Sequence, residues 1–539
     1  MAPMLARSST VRGRRPSSVL LATLTLGFIA LGAATPEDPE DLFEAAAEGI
    51  SEDDVALLMA EFCSPYLEGR DSPSDGLAYA GERIADRFEA FGLKHAPGKS
   101  DYFHTYTRNL PAPDPERCAL AVSGADAPSS FELGVDFVPL ASAAGVAEGE
   151  LVWCGYGIDV RGFDELRTLK LRGKIAIFAE GEPRHPRVLD GPALTPAANV
   201  YRKLQRLDES GVDGALIVRR DPPADVPRPE GWPEKQPMGF RSSWAFWNGE
   251  RPDSVMESPI PAVEISEAVA RQLLGDAYDE RLATIDSKGK PAGPIEIDVD
   301  VRFESAVERG PVELRNVIAA IPGRDPELAE EWVVVGAHYD HIGVDRRGRV
   351  GTGADDNASG TSAMLEMAQA FAESPTRRSL LFCAFSSEED GLLGSQALVS
   401  DMADGAPIGI ERIAAMVNLD MVGRGDPKRL NAIGADRSRD LDRLVKDAKR
   451  LTKTGLSKIV TDEGSDLWQR SDHYPFADVG VPALFLFEET PISNNEDYHT
   501  WRDTLEAIEL EKIARAARFG ANLVWLIAED DDRPSFGQR

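Results

Sequence analysis

Five side chains able to ligate a metal follow one another along the second half of the chain: His338, Asp356, Glu389, Asp420 and His499, each just past a short apolar run. Imidazole and carboxylate are ligands that zinc takes, and two zinc ions about 3.5–4 Å apart need one ligand that spans both. A carboxylate has two oxygens for that task. Asp356, in the tight turn Gly353-Ala354-Asp355-Asp356-Asn357 ahead of a helix, is the candidate bridge; taken alone it reads equally well as a helix N-cap. In the pair Glu388-Glu389 one carboxylate can ligate while the other moves protons. Glu389 is read as the ligand and Glu388 as the general base that takes a proton from metal-activated water. The run Glu388-Glu389-Asp390 also reads as an acidic cap on the next helix.

Neighbouring residues extend the set. Asp340, two positions beyond His338, is placed to hold that ring's orientation, whereas His341 reads as a plain loop residue. Asp420 ends an apolar run, where an unpaired carboxylate is expensive to bury and a metal would remove the cost. In Ser471-Asp472-His473, His473 reads either as a contact for a substrate carbonyl or as a residue of a surface loop. Asp503-Thr504-Leu505-Glu506 reads as a capping box opening the last helix, which makes Asp503 a cap rather than a ligand.

Strands must deliver these side chains. Trp332 to Ala337, Leu380 to Phe385, Ala414 to Leu419 and Pro482 to Phe487 are short apolar runs ending at or leading to the donors. Side chains at the carboxyl ends of parallel strands face the crevice where open α/β sheets place their chemistry. Between the runs, Ser359 to Ala372, Leu392 to Met402, Ser438 to Leu451 and Leu505 to Ile527 carry apolar residues at helical spacing. The alternation predicts an α/β fold with a mostly parallel, doubly wound sheet flanked by helices.

The 539 residues exceed one ordinary core, so two or three domains are expected. A formal charge of −32 argues against nucleic acid as a partner, because phosphate binding needs clustered Lys and Arg. Residues 1–34 read as a signal peptide: arginines, then the apolar run Val19 to Ala34, then an acidic stretch with a cleavage site before Thr35. Export to the periplasm or the outside is expected, with no stable membrane insertion after cleavage; a retained N-terminal anchor is the alternative. Cys63, Cys118, Cys154 and Cys383 leave the disulfide pairing open, with Cys383 read as a small core hydrophobe.

Residues 35–129 carry helical patterns, among them Glu52 to Phe62 and Gly76 to Phe91, read as the N-terminal helical part of the catalytic domain. From 130 to 298 the texture changes to short β-like runs, Gly149 to Ile158, Gly173 to Ala179, Gly214 to Val218 and Ala262 to Ile265, with one helix near Ala198 to Leu207. That stretch reads as an inserted small β-rich domain, within which Asp221 to Trp247 is a long loop. Residues 299–530 form the catalytic domain and 531–539 a polar tail.

With these motifs assembled, the chain resembles the secreted co-catalytic zinc aminopeptidases of the aminopeptidase Y and glutamate carboxypeptidase type. The likeness rests on His338-Tyr339-Asp340, Gly353-Ala354-Asp355-Asp356-Asn357, Ser387-Glu388-Glu389, Asn418-Leu419-Asp420 and Tyr498-His499-Thr500. It covers about Asn316 to Ala528. It implies two zinc ions per chain on His338, Asp356, Glu389, Asp420 and His499, with Glu388 as base, Asp340 as orienting partner and peptides as substrates. The stretch 130–298 is similar to the protease-associated domain that such enzymes carry. The chain departs from them at Trp501, where relatives have proline, and in the loop Pro491 to Glu496. The resulting expectation is an exported zinc aminopeptidase. The alternatives are a carboxypeptidase acting on acidic C-termini, with Arg424, Arg470 and Arg502 available for the carboxylate, a metal-free receptor-like ectodomain, and a one-zinc cyclase of N-terminal glutamine. Oligomeric state and side-chain specificity are not readable from the sequence.

Overall fold

The computed structural model describes residues 38–537 except 125–130, 186–187, 190–193, 224–225, 234–236, 242–257 and 296. The expected signal peptide lies outside the described residues, as do parts of the Asp221 to Trp247 loop and the end of the tail. From Pro39 onward the chain forms one compact unit built on two large sheets.

The first sheet has nine strands. At its centre Ser379–Phe385, Trp332–His338, Ile413–Leu419 and Ala483–Phe487 lie side by side and parallel. Every residue of these four strands is buried, as their uninterrupted apolar sequences require of strands covered on both faces. Antiparallel strands flank this core: Val307–Ile321 beside Ser379–Phe385, and Arg429–Ile433 beside Ala483–Phe487. Val307–Ile321 also pairs along its length with Phe103–Pro113.

Helices Gly360–Glu373, Arg439–Leu451 and Leu510–Glu529 pack on one face with the N-terminal helices Pro39–Gly49, Glu52–Phe62 and Asp75–Ala90. Leu393–Ala403 and His473–Asp478 contribute to the core on the other face. The last helix starts five residues later than its periodicity predicts. Leu505–Ala507 forms a separate 3-10 turn, and Asp503 does not cap the helix.

The second sheet has seven strands, drawn from Ala119–Ser123 to Asp300–Ser305, so it takes in residues on both sides of the 130–298 stretch. Its helices are Val200–Glu209, Glu267–Leu274 and Ala277–Lys288. The four cysteines are free thiols, and Cys383 sits inside a central strand. No described helix is long and apolar enough to cross a membrane.

Candidate metal centre

The parallel strands bring the predicted donors to one edge. His338 is the last residue of its strand, and its Nε2 lies 3.3 Å from Asp356 Oδ1 and 3.4 Å from Asp420 Oδ1. On the other side of Asp356, Oδ2 is 3.1 Å from His499 Nε2, which in turn lies 3.0 Å from Glu389 Oε2. Asp356 therefore turns one oxygen to each group, as a bridging carboxylate must. Ligands about 2.1 Å from a tetrahedral zinc stand about 3.4 Å apart, close to the separations found here. His499 Nε2 is buried and has no hydrogen bond of acceptable geometry. Such an atom, aimed among carboxylate oxygens, fits a metal better than it fits a hydrogen bond. The donor chemistry suits two zinc ions that share Asp356.

Local backbone devices hold these atoms. The Asp356–Asn357 peptide is cis. Asn357 ties the turn to the strand carrying Asp420: its Nδ2 donates to Leu419 O at 3.0 Å, and its Oδ1 accepts from Gly360 N at 2.9 Å and Met421 N at 3.1 Å. Asp503 accepts from the amides of Asp355 (2.9 Å) and Asp356 (3.0 Å), so the acid read as a local helix cap instead secures the bridging turn from 147 residues away. Ser387, Met421 and His499 all have positive φ, a conformation that non-glycine residues adopt at a cost and that gathers at functional sites.

Asp340 Oδ1 lies 3.6 Å from His338 Nδ1, but the hydrogen bonds of its carboxylate run to the amides of Glu388 (3.1 Å) and Glu389 (3.2 Å). It fixes the loop that carries the glutamate pair as well as standing beside the imidazole. His473 is fully buried, stacked on Phe485 at 4.5 Å and edge-on to Trp468 at 4.7 Å. Burial pushes it down to about 3, and it lies behind Phe485 rather than in the wall of the cavity beside the donors.

That cavity is lined by Asp356, Glu388 and Asp420 on its polar side and by Met421, Leu467, Phe485, Phe487 and Ile492 on its apolar side, with Arg470 and Tyr498 beside them. Burial, reinforced by Glu389, Asp420 and Asp472 and opposed by His338, raises Glu388 well above the usual carboxylate range. A carboxyl tuned upward suits proton transfer near neutrality. Burial acts against the charged forms of His338, Asp356, Glu389 and His499, yet mutual attraction outweighs it. It holds His338 well above its ordinary value, His499 at about 10 and Glu389 at about 2, and keeps Asp356 well below the carboxylate range. Protons on the imidazoles stand where metal charge would stand, and metal binding would displace them.

Sequence reasoning missed three contributors. Arg70, 1% exposed, donates to Tyr339 O and Thr352 O at 2.8 Å each and to Gly353 O at 3.1 Å, clamping the segments around two donors. A lone arginine in a polar stretch gives no signal for that. His341 is buried against Glu389 at 2.8 Å, and Tyr498 stacks on His499 with ring centroids 3.8 Å apart. Their adjacency to the motifs was the available clue.

Residues 316–524 match the model of Peptidase family M28. Aminopeptidase YwaD of Bacillus subtilis (strain 168) is 31% identical over 206 residues, 38% of this chain and 42% of that protein. A probable leucine aminopeptidase of Arthroderma benhamiae (strain ATCC MYA-4681 / CBS 112371) is 29% identical over 219 residues, 40% of this chain and 57% of that one. The chain thus spans about half the length of these curated relatives. The solved zinc aminopeptidase BSAP from Bacillus subtilis superimposes on 90% of this chain and 96% of its own at 19% identity, with a TM-score of 0.45. The family match thus spans the segment that carries the candidate metal donors, residues 316–524.

Proposed function

We propose that the protein is a dinuclear zinc aminopeptidase that removes apolar N-terminal residues from peptides. One observation carries the reading: the two-sided donor set around Asp356 opens on the same cavity as Glu388, whose carboxyl is tuned for proton transfer. His338, Asp356 and Asp420 would hold one zinc ion; Asp356, Glu389 and His499 would hold the other. A zinc pair supplies Lewis acidity, polarising a carbonyl and lowering the pKa of water. Glu388 takes the proton from the attacking water and returns it to the leaving amine. Asp340 keeps the Glu388-Glu389 loop in place while this happens.

The cavity supports reading the amino end. Asp356, Glu388 and Asp420 face a protonated amine, and Met421, Leu467, Phe485, Phe487 and Ile492 offer an apolar wall to the first side chain. A C-terminal carboxylate would need a cation. Arg424 is committed to Asp497 and Asn495, and Arg502 to Asp497; Arg470 alone of the three lines the cavity, donating to Tyr498 Oη at 3.0 Å. The second sheet is assigned as a protease-associated-type domain, and the N-terminal segment as an export signal.

N-acetylation of an apolar peptide should slow its hydrolysis at least tenfold, while C-terminal amidation leaves the rate nearly unchanged. If amidation stops cleavage and acetylation does not, the carboxypeptidase alternative replaces this reading.

A further inference from the structure

His341 sits closer to the metal centre than any role given so far explains. Its Nδ1 is 2.8 Å from Glu389 Oε1, while the other oxygen of Glu389, Oε2, faces His499 Nε2 at 3.0 Å. The ring lies in a made-to-measure seat. Gly353 has φ of 58°, and a Cβ there would come within 2.5 Å of His341 Cγ. The His341 amide donates to Arg70 O at 3.1 Å, and the Arg70 guanidinium holds Gly353 O, so the same residue fixes both walls of the seat.

Two roles fit an imidazole in this position, and its far nitrogen separates them. His341 Nε2 is buried and has no partner among the described residues. If Nδ1 bound a metal, the ring proton would sit on Nε2, a buried donor with no acceptor, whereas a ligating histidine normally hands that proton to a carboxylate, carbonyl or water. With the proton on Nδ1 the ring donates to Glu389, and only an acceptor is left unused. Distance agrees: Nδ1 is 3.9 Å from Asp356 Oδ2, against 3.1 Å for His499 Nε2 to the same oxygen.

We propose that His341 is a positioning residue that donates from Nδ1 to Glu389 Oε1, occupying that oxygen so that Oε2 is the one presented to the metal shared with His499 and Asp356. This rests on the reading of Asp356, Glu389 and His499 as metal ligands. Partners that orient a ligand in this way are worth about 10–100-fold in metal affinity.

The test compares the wild type with His341→Ala and His341→Asn, by zinc competition titration and by the visible spectrum of the cobalt-substituted protein. His341→Ala should bind one of the two metals 10–100-fold more weakly. His341→Asn, whose side-chain amide can donate from nearly the same place but is a poor zinc ligand, should return affinity to within a few fold and keep the wild-type cobalt spectrum. Wild-type affinity in the alanine variant overturns the proposal. So does an asparagine variant as weak as the alanine one, which would assign His341 to direct ligation. A wild-type protein that takes up no zinc overturns this inference and the metal-centre reading together, an outcome distinguishable from the other two.

Discussion

Buried charge collects in two places, one at each sheet, and is settled in different ways. Beside the second sheet, around a cavity of about 340 Å³, the carboxylates meet fixed cations. Arg219 pairs with Glu264, Arg241 with Glu180 at 2.8 Å and with Glu68 at 3.1 Å, and Lys203 donates to the carbonyls of Ala179 and Gly181. At the strand ends of the first sheet, Asp340, Asp356, Glu389 and Asp420 make no ion pair with lysine or arginine among the described residues. Their partners are the imidazoles of His338, His341 and His499. The larger cavity therefore belongs to a closed set of ion pairs, and the smaller one to a set of donors still short of positive charge. Burial of charge is common to both; what separates a structural knot from a metal centre is whether the protein supplies the countercharge itself.

Substitutions at the metal centre should act on chemistry first. Glu388→Gln keeps the size and hydrogen-bonding capacity of the side chain but removes its basicity. It should lower turnover on the order of 10²–10⁴-fold while leaving two zinc ions per chain by elemental analysis. Turnover near that of the wild type would assign the proton transfer to another group. Asp356→Ala should lose metal along with activity, because the carboxylate that both donor groups share is gone. Full stoichiometry in that variant would move the bridge elsewhere.

At the second sheet the same kind of deletion should act on stability alone. Glu264→Ala leaves the buried Arg219 with only the more distant Glu68 carboxylate at 3.6 Å, and removing one partner of a buried pair typically costs about 3–5 kcal/mol. Denaturant unfolding should register that loss, whereas zinc content per folded chain and the KM for a peptide should not move. A loss of zinc in Glu264→Ala would mean that the two clusters are coupled and the contrast between them is false.

The contrast also marks what the sequence could reveal. His338, Asp420 and the Glu388-Glu389 pair were legible because each ends or closely follows a buried apolar strand, and a period-free run such as Leu380 to Phe385 leaves few other places for its polar successor to go. The helices Glu52–Phe62 and Arg439–Leu451 were legible from spacing, and the structure caps them with Ser51 and Ser438, both of which accept from helix amides. Contacts between distant segments were not. Asp503 looked like the cap of its own helix because local patterning cannot see the Asp355 and Asp356 amides it actually serves. Arg70 and the Arg219–Glu264 pair gave no signal for the same reason, since Tyr339, Thr352 and Gly353 lie 269 to 283 positions from Arg70 and Glu264 lies 45 from Arg219. The antiparallel pairing of Phe103–Pro113 with Val307–Ile321 joins strands separated by the whole of the second sheet, a register that no local window contains.

The smallest predicted effect tests how the second sheet manages a carboxyl that has no fixed cation at hydrogen-bond distance. Glu165 Oε2 accepts from the amides of Tyr156 (3.0 Å) and Ile158 (3.1 Å). Burial nonetheless outweighs those bonds and the field of Lys203, raising the carboxyl from 4.5 to about 7. A raised acid is protonated more readily in the folded than in the unfolded chain. Its contribution to stability is therefore complete below pH 4.5 and is lost as pH rises through about 7. A shift of this size corresponds to about 3 kcal/mol across that window. Glu165→Gln retains an oxygen to accept both amides and cannot ionise. Its unfolding free energy should accordingly fall less than that of the wild type between pH 4.5 and 7.5, by up to the same amount, in a series of urea titrations. Parallel pH profiles for the two proteins would show that the folded chain ionises Glu165 as easily as water does, and that the second sheet tolerates a charge with no ion-pair partner there.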